Sequence, residues 1–200
     1  MNITIDSMEE NDLNSVVAVH LCSFPGFFLT FLGPRFLRLL YTQILVTTGH
    51  VALVARDDSG KVLGFIVGVP AQARFYRDAL RRRWLAFSIA SLSAVTRQPH
   101  IIPRLVRALR YPNNSEHALA QALLMSIAVV PDASGQGIGR NLVCRFLIEM
   151  KSSGYTTVSL VTDRDNNDRV NRFYKDLGFS LAQTYATSEG RWLNEYLITL

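Results

Sequence analysis

Three glycines at alternate positions, Gly135, Gly137 and Gly139, join an apolar run at residues 123–130 to an amphipathic segment at residues 138–150. The run has the composition of a strand, and the later segment repeats its apolar residues at helical spacing. Glycine lets the backbone adopt positive φ and approach a ligand closely, and the N–H groups at a helix start carry partial positive charge. The stretch is therefore predicted to be a strand, a turn and a helix that together bind an anion such as a diphosphate.

The spacing of these glycines excludes two common phosphate-binding motifs. The dinucleotide fingerprint needs glycines at its first, third and sixth positions, but the sixth position is Arg140 counted from Gly135 and Leu142 counted from Gly137. The stretch also lacks the Gly-Lys-Ser/Thr sequence of a P-loop. The diphosphate must therefore belong to another kind of ligand.

The rest of the chain alternates between strand and helix patterns. Residues 157–161 form a β-rich run after the helix, so residues 123–161 are expected to form a βαβ unit with parallel strands and a right-handed crossover. This length and pattern indicate one α+β domain over residues 1–200. The same rules predict strands at residues 3–5, 51–56, 62–69, 179–185 and 191–199, and helices at residues 13–21, 34–44 and 167–177.

Positive charge is concentrated in one segment. Residues 71–112 contain nine arginines and a single acid, Asp78, which gives +8 there and leaves −3 for the rest of a chain whose net charge is +5. We expect a basic helical insertion at residues 71–118. Its arginines suit an anionic acceptor; docking on an anionic membrane surface and a merely solvated face are the alternatives. A nucleic-acid partner is not expected, because no DNA- or RNA-reading module is present.

The N-terminus, the apolar stretches and the cysteines point to one compartment. Residues 1–14 carry four acids where a signal peptide would carry basic and then apolar residues. The longest stretch suited to burial, residues 84–96, is shorter than the roughly 20 residues of a membrane span. Cys22 and Cys144 lack the spacing of a zinc site or a disulfide framework, and we expect both to be partly buried thiols. A cytoplasmic chain without a metal site or a transmembrane segment is predicted.

Two separate motifs resemble the GNAT N-acyltransferase superfamily. The sequence Val-x-Pro at residues 129–131, followed by x-Gly-x-Gly-x-Gly into a helix, resembles the family's acyl-CoA pyrophosphate loop. Residues 167–179 are similar to its Asn-x-x-Ala-x-x-Phe-Tyr and Leu-Gly-Phe helix. Two positions depart from the pattern: Ser134 stands where the family usually has Arg or Gln, and Val170 replaces Ala.

The resemblance implies a three-layer α/β/α fold with a mixed, mostly antiparallel sheet of six to seven strands. It also implies acetyl-CoA or another acyl-CoA as cofactor. The strands at residues 123–130 and 157–161 would splay apart, and the pantetheine arm would pair in the gap like an added strand. The side-chain contact that the family makes at the position of Ser134 would be lost or would be supplied by Gln136 or Arg140. The cofactor-binding residues implied in this way are Ile127, Ala128, Val129, Ser134, Gly135, Gln136, Gly137, Ile138, Gly139, Arg140, Asn167, Phe173 and Tyr174.

The same resemblance assigns catalytic roles. Tyr174 would protonate the departing thiolate, although packing under residues 178–179 would also explain it. The oxyanion donor would be the N–H of Ala128 or Val129. The strand at residues 123–130 contains no Glu or Asp to deprotonate the amine. Glu116 and His117 are the nearest base candidates, ahead of Asp163 and Glu195, and a water-mediated route is an equal alternative.

The predicted function is transfer of an acetyl or similar group to a primary amine of a small molecule, for which a nucleotide-linked amino sugar would fit. Residues 24–37 add to this, since they resemble acetyltransferases of bacterial surface-polysaccharide or amino-sugar biosynthesis. The alternatives are a non-catalytic acyl-CoA-binding regulator and an acyltransferase acting on a protein amine or a membrane-associated acceptor. A homodimer is allowed, and oligomeric state is otherwise open.

Overall fold

The computed structural model describes residues 2–70, 120–187 and 190–200, and these contain one seven-stranded sheet in the order β1-β2-β3-β4-β5-β7-β6. The pair β4–β5 is parallel and the other pairs are antiparallel. The strands are β1 (Thr4–Ser7), β2 (Val51–Arg56), β3 (Val62–Pro70), β4 (Ala122–Val129), β5 (Thr157–Asp163), β6 (Ser180–Ala186) and β7 (Trp192–Thr199). The expected α+β fold with a mixed, mostly antiparallel sheet is confirmed.

Helices lie on both faces of the sheet. They are α1 (Leu13–Ser23), the single turn α2 (Phe28–Phe31), α3 (Pro34–Leu45), α4 (Ile138–Ser152) and α5 (Asp168–Asp176). The first face carries α1 and α3 against β3, while α4 packs on β2, β3 and β4 from the second face. This is the expected three-layer arrangement.

The centre of the sheet is buried on both faces. Strands β2 and β3 are buried along almost their whole length because one core lies under α1 and α3 and the other under α4. Gly68 on β3 makes the second core possible: a Cβ there would collide with the Phe146 ring and lie 2.7 Å from the Leu123 carbonyl oxygen. The close approach of α4 fixes where the glycine loop before it emerges.

Several sequence expectations concern features outside this core. The basic insertion predicted at residues 71–118 lies outside the described residues. None of the helices within residues 2–70, 120–187 and 190–200 combines the length and apolarity that a membrane crossing requires. Those same residues contain no cluster of His, Cys, Asp or Glu side chains that could hold a metal ion. The expectation that both cysteines are partly buried is wrong, because Cys22 and Cys144 are exposed free thiols.

Candidate active site

A gap opens in the sheet between β4 and β5. The two strands pair only at Ala122↔Val158 and Leu123↔Ser159, although β4 continues to Val129 and β5 to Asp163. An extra residue on β4, Met125, bulges where β3 shifts register beside Gly68. The expected splay at the C-terminal ends of these strands is therefore present, and it leaves backbone groups on both walls without strand partners.

The register of β4 decides which of its amides face the gap. The Val130 N–H donates to the Leu63 carbonyl oxygen at 2.8 Å, so the N–H of Val130 points towards β3. Because hydrogen-bonded pairs alternate along an antiparallel ladder, Ala128 faces β3 while Ile127 and Val129 direct their N–H groups into the gap. Of the two oxyanion donors proposed from the sequence, the geometry favours Val129.

The opposite wall follows the same rule. The Arg164 N–H donates to the Trp192 carbonyl oxygen at 2.9 Å. Because hydrogen-bonded pairs alternate along the ladder, the backbone N–H and C=O groups of Val161 and Asp163 point away from β7 and towards the gap. The Asp163 carbonyl oxygen accepts from side-chain amides, whereas the backbone of Val161 faces the gap without such a partner. An extended ligand could therefore hydrogen-bond to both walls, as an added strand would.

The glycine loop ends directly at α4 and is open to solvent. Gly135 and Gly137 adopt φ of 83° and 79°, and a Cβ on either would meet no atom within 4 Å. Gly137 is the N-cap of α4 and offers no side chain to cap it. Among the described residues, the backbone N–H groups of residues 135–140 have no hydrogen-bond partner. They form a row of unpaired donors at the positive end of a 15-residue helix.

A guanidinium group stands beside this loop, but it comes from neither predicted residue. Arg140 donates to the Asp176 carbonyl oxygen at the end of α5, 3.2 Å away. Arg169 on α5 instead donates to Ser134 Oγ at 3.0 Å. Sequence reasoning missed Arg169, since its partner lies 35 residues earlier in the chain. The guanidinium that contacts the loop at Ser134 thus comes from the neighbouring helix α5.

An open depression of about 450 Å³ runs along the exposed side of α5. It is lined by Asp168, Arg169, Arg172, Phe173 and Asp176. Phe173 also approaches the loop helix closely, because a Cβ on Gly139 would touch its ring at 3.7 Å. Phe173 therefore packs against the first turn of α4, with room at Gly139 for a Cβ in ordinary van der Waals contact.

Tyr174 is buried on the inner side of α5. Its ring makes edge contacts with Phe173 and Phe179 at 5.2 and 5.7 Å and lies 6.2 Å from the Tyr196 ring. The Tyr174 hydroxyl makes no hydrogen bond to the described residues. It is not one of the fully buried atoms without a partner, so part of the oxygen surface is accessible. Burial raises the pKa of Tyr174 well above its ordinary value, which keeps the phenol protonated. The packing role is present, and the arrangement suits a proton donor.

Two asparagines join α5 to the end of β5. Asn167 donates from Nδ2 to Thr162 Oγ1 at 2.8 Å and to the Asp163 carbonyl oxygen at 3.1 Å. Asn171 is buried, donates to the same carbonyl oxygen at 3.0 Å, and accepts at Oδ1 from Asn194 and Tyr196, both at 3.0 Å. Asn171 is thus the centre of a buried polar network that the sequence did not reveal.

The four candidate general bases differ in what the structure shows of their surroundings. Glu116 and His117 lie outside the described residues and stay predictions. Asp163 is paired with Arg191 at 2.6 Å. Glu195 on β7 is buried, with 8% of its surface exposed, and accepts one hydrogen bond, from Gln183 Nε2 at 2.6 Å.

A buried histidine on the first face was not singled out from the sequence. His20 on α1 is 3% exposed, lies 2.7 Å from the Tyr41 hydroxyl through Nδ1, and stacks near Phe65. Its Nε2 is buried without a partner among the described residues, and burial lowers the pKa of His20 to about 4. One helical turn later, Ser23 Oγ donates to the Val129 carbonyl oxygen at 3.1 Å and so fixes the end of β4.

The glycine loop, the splayed strands and the α5 motif are the features in which the chain resembles one family. The chain belongs to the acetyltransferase (GNAT) family, whose model matches residues 15–179. This membership confirms the family and the enzyme class expected from the sequence, N-acetyltransferases that use acetyl-CoA as the donor.

Individual relatives cover the chain to different extents. A mycothiol acetyltransferase from Actinosynnema mirum is 35% identical over 74 residues, which is 37% of this chain and 25% of that protein, so the match spans a quarter of the curated relative. The ribosomal-protein-S18-alanine N-acetyltransferase from Escherichia coli covers 99% of this chain and 94% of its own, with a TM-score of 0.61 at 18% identity. An aminoglycoside 6′-N-acetyltransferase complexed with coenzyme A covers 98% and 96%, with a TM-score of 0.62 at 13% identity. At these identities, the two structures establish a shared fold.

Proposed function

We propose that this protein transfers an acetyl group from acetyl-CoA to the primary amine of a small molecule by direct attack. The observation that carries the proposal is the row of unpaired N–H groups at residues 135–140 beside a gap whose walls expose backbone groups without strand partners. The row suits a diphosphate, and the gap suits an extended arm with amide groups of its own. Coenzyme A has both parts.

The residues around the gap divide the chemistry between them. The row at residues 135–140 and the Arg169 guanidinium bind the diphosphate, and the backbone groups of Ile127 and Val161 hold the arm. The Val129 N–H stabilises the oxyanion that forms when the amine attacks the thioester carbon. Tyr174 then protonates the sulfur as the C–S bond breaks.

We propose a nucleotide-linked amino sugar as the acceptor. Nine arginines at residues 71–112 support an anionic molecule, and the resemblance of residues 24–37 to amino-sugar acetyltransferases supports the sugar. The fold itself is compatible with other acceptors, since proteins that share it are named for a ribosomal-protein alanine and for an aminoglycoside. A protein amine and a membrane-associated acceptor are therefore included in the test.

The test is release of free thiol from acetyl-CoA in the presence of defined amines. The panel contains a nucleotide-linked amino sugar, free glucosamine, an aminoglycoside, spermidine and a peptide with an N-terminal alanine. We expect release above the amine-free rate with the nucleotide sugar and a smaller effect with free glucosamine. Release with the peptide or the polyamine alone would overturn the assignment of the acceptor, and no release with any amine would contradict an acetyltransferase.

A non-catalytic acyl-CoA sensor is the second candidate. It is favoured by one observation, that β4 carries no carboxylate along Ala122–Val129. Such a sensor would bind acetyl-CoA in a calorimetric titration and consume none of it with any amine. The remaining proposals, cytoplasmic location, a homodimer and peripheral contact with an anionic membrane, call for fractionation, a solution mass measurement and a salt-dependent vesicle sedimentation assay.

A further inference from the structure

Glu195 points to the face of the sheet opposite α5. Its neighbours on β7, Asn194 and Tyr196, both hydrogen-bond to Asn171 on α5. Because successive side chains of a strand alternate between faces, Glu195 lies on the other side. That is the face on which α1 and α3 cover β3 and β4, away from the glycine loop's helix.

The carboxylate of Glu195 is buried without a cation among the described residues. One carboxylate oxygen accepts a hydrogen bond from Gln183 Nε2 at 2.6 Å. The other makes no hydrogen bond to the described residues, and it is not one of their fully buried atoms that lack a partner. The nearby Tyr185 is a second titratable group, and its pKa is raised first by burial and then by the charge of Glu195. A largely buried carboxylate with one neutral partner is costly, so a cationic partner would stabilise it.

The other charged groups on this face do not supply that cation. Val161 is the cross-strand partner of Glu195, so their side chains lie on the same face. Asp163 is two residues after Val161, and Arg191 is four residues before Glu195, so both of these side chains lie on that face as well. The Arg191 guanidinium is committed to Asp163 Oδ1, at 2.6 Å from Nη2 and 3.2 Å from Nε. The free oxygen of Glu195 is therefore available to a cation that comes from outside the described chain.

The position of Glu195 along the sheet brings it beside the gap. Its cross-strand partner is Val161, two residues beyond Ser159, where pairing between β4 and β5 ends. At a rise of about 3.3 Å per residue, Val161 lies roughly 7 Å past the closed end of the gap, and Glu195 is one strand spacing, about 4.8 Å, behind it. A ligand group that approaches the gap from this face would pass the free carboxylate oxygen.

We propose that Glu195 binds the ammonium group of the acceptor and removes its proton. This inference rests on the proposed acetyl transfer and names the residue that prepares the amine. Glu195 takes one proton from the ammonium and later passes it to solvent. The freed nitrogen lone pair forms the C–N bond, the C–S bond breaks, and the second proton lost by nitrogen replaces the one that Tyr174 gives to sulfur. The products are the amide, free coenzyme A and one released proton.

The test compares four variants with the amine that the wild-type protein uses best in the thiol-release panel. Glu195→Gln keeps the shape and a hydrogen bond to Gln183 but removes the charge, and Glu195→Asp keeps the charge. Glu149→Gln is the matched control, since Glu149 lies on α4 and pairs with Arg145. Glu116→Gln tests the leading alternative base from the sequence.

At pH 7 we expect Glu195→Gln to lower kcat by roughly 10²-fold, with unchanged affinity for acetyl-CoA. Glu195→Asp should recover part of the loss, and Glu149→Gln should match the wild type. The deficit should shrink as the pH approaches the pKa of the amine, because solution then supplies the neutral form; a loss from misplaced structure would persist. Glu195→Gln also removes the charge that is the second cause of the raised pKa of Tyr185, and Glu195→Asp keeps that charge and so controls for this effect.

Wild-type kcat in Glu195→Gln, or the same loss in Glu116→Gln alone, would overturn this role while leaving the acetyl transfer intact. A wild-type protein that binds acetyl-CoA and acetylates no amine would instead contradict the proposed function itself. The two failures are therefore distinguishable.

Discussion

Asn171 Nδ2 donates a 3.0 Å hydrogen bond to the carbonyl oxygen of Asp163, the last residue of β5. The same side chain accepts from Asn194 and Tyr196, so one buried amide ties α5, β5 and β7 together. It thereby holds the wall of the gap that faces β4.

Asn171→Leu keeps the approximate volume of the side chain and removes all of these bonds. Several buried polar groups would lose their partner, at about 1 to 3 kcal/mol each, so we expect the free energy of unfolding to fall by about 3 kcal/mol or more. Urea denaturation measures this, with the exposed Asn141→Leu as control. Equal midpoints for the two variants would mean that the network does not stabilise the fold.

Gly137→Val should abolish measurable binding of acetyl-CoA. The residue has φ of 79°, and any side chain would project into the open space before α4. Gly154→Val is the matched control, since Gly154 has φ of 87° and open surroundings after the other end of α4. Calorimetric titration should show loss of binding in the first variant alone. Equal affinity in both would place the diphosphate elsewhere.

Arg169→Gln should weaken acetyl-CoA binding by roughly 3- to 10-fold, because it removes the charge beside Ser134. The difference should narrow as salt is added, since an exposed charge is screened. Arg145→Gln removes an equivalent charge from the other side of α4, where Arg145 pairs with Glu149. Loss of affinity of the same size in both variants would indicate a general charge effect.

Tyr174→Phe should lower turnover by roughly 10²- to 10⁴-fold if Tyr174 is the general acid. Binding of acetyl-CoA and stability should hardly change, because the hydroxyl makes no hydrogen bond to the described residues. Tyr155→Phe is the control: it removes a hydroxyl that donates to the Gly49 carbonyl oxygen at 3.2 Å. Wild-type turnover in Tyr174→Phe would leave the residue with its packing role only.

His20 predicts how stability depends on pH. Its pKa in the folded protein is about 4, below the 6.5 of an unfolded chain, so the unfolded state takes up a proton first as the pH falls. The contribution is complete above pH 6.5 and is lost towards pH 4, by up to about 3 kcal/mol. Urea denaturation at several pH values between 4 and 6.5 measures this. The free energy of unfolding should change less with pH for His20→Gln than for the wild type. The same pH dependence in both proteins would mean that folding does not lower the pKa of His20.

Features set by neighbouring residues could be predicted from the sequence. The glycine loop is an example, because residues 135–138 alone determine its positive φ angles and its uncapped helix start. Strand and helix bounds were within a few residues for the same reason. The hairpin β2–β3 depends only on its own periodicity and on the turn between its strands.

Features that depend on residues distant in the chain could not be predicted from the sequence. Arg169 meets Ser134 across 35 residues, and Asn171 meets Tyr196 across 25. On a helix, arginine and asparagine are both expected on the solvent side, so nothing local distinguishes the exposed Arg169 from the buried Asn171. The choice between Ala128 and Val129 likewise required the register of β4 against β3, which Val130 and Leu63 fix.

The central claim is that the unpaired amides of residues 135–140 bind the diphosphate of coenzyme A while the gap beside them takes its arm. Backbone amide NMR on titration with coenzyme A tests this residue by residue. We expect the largest chemical-shift changes at Gly135, Gly137 and Gly139, with smaller ones at Val129 and Val161. Saturable binding that leaves the three glycine resonances in place would contradict it.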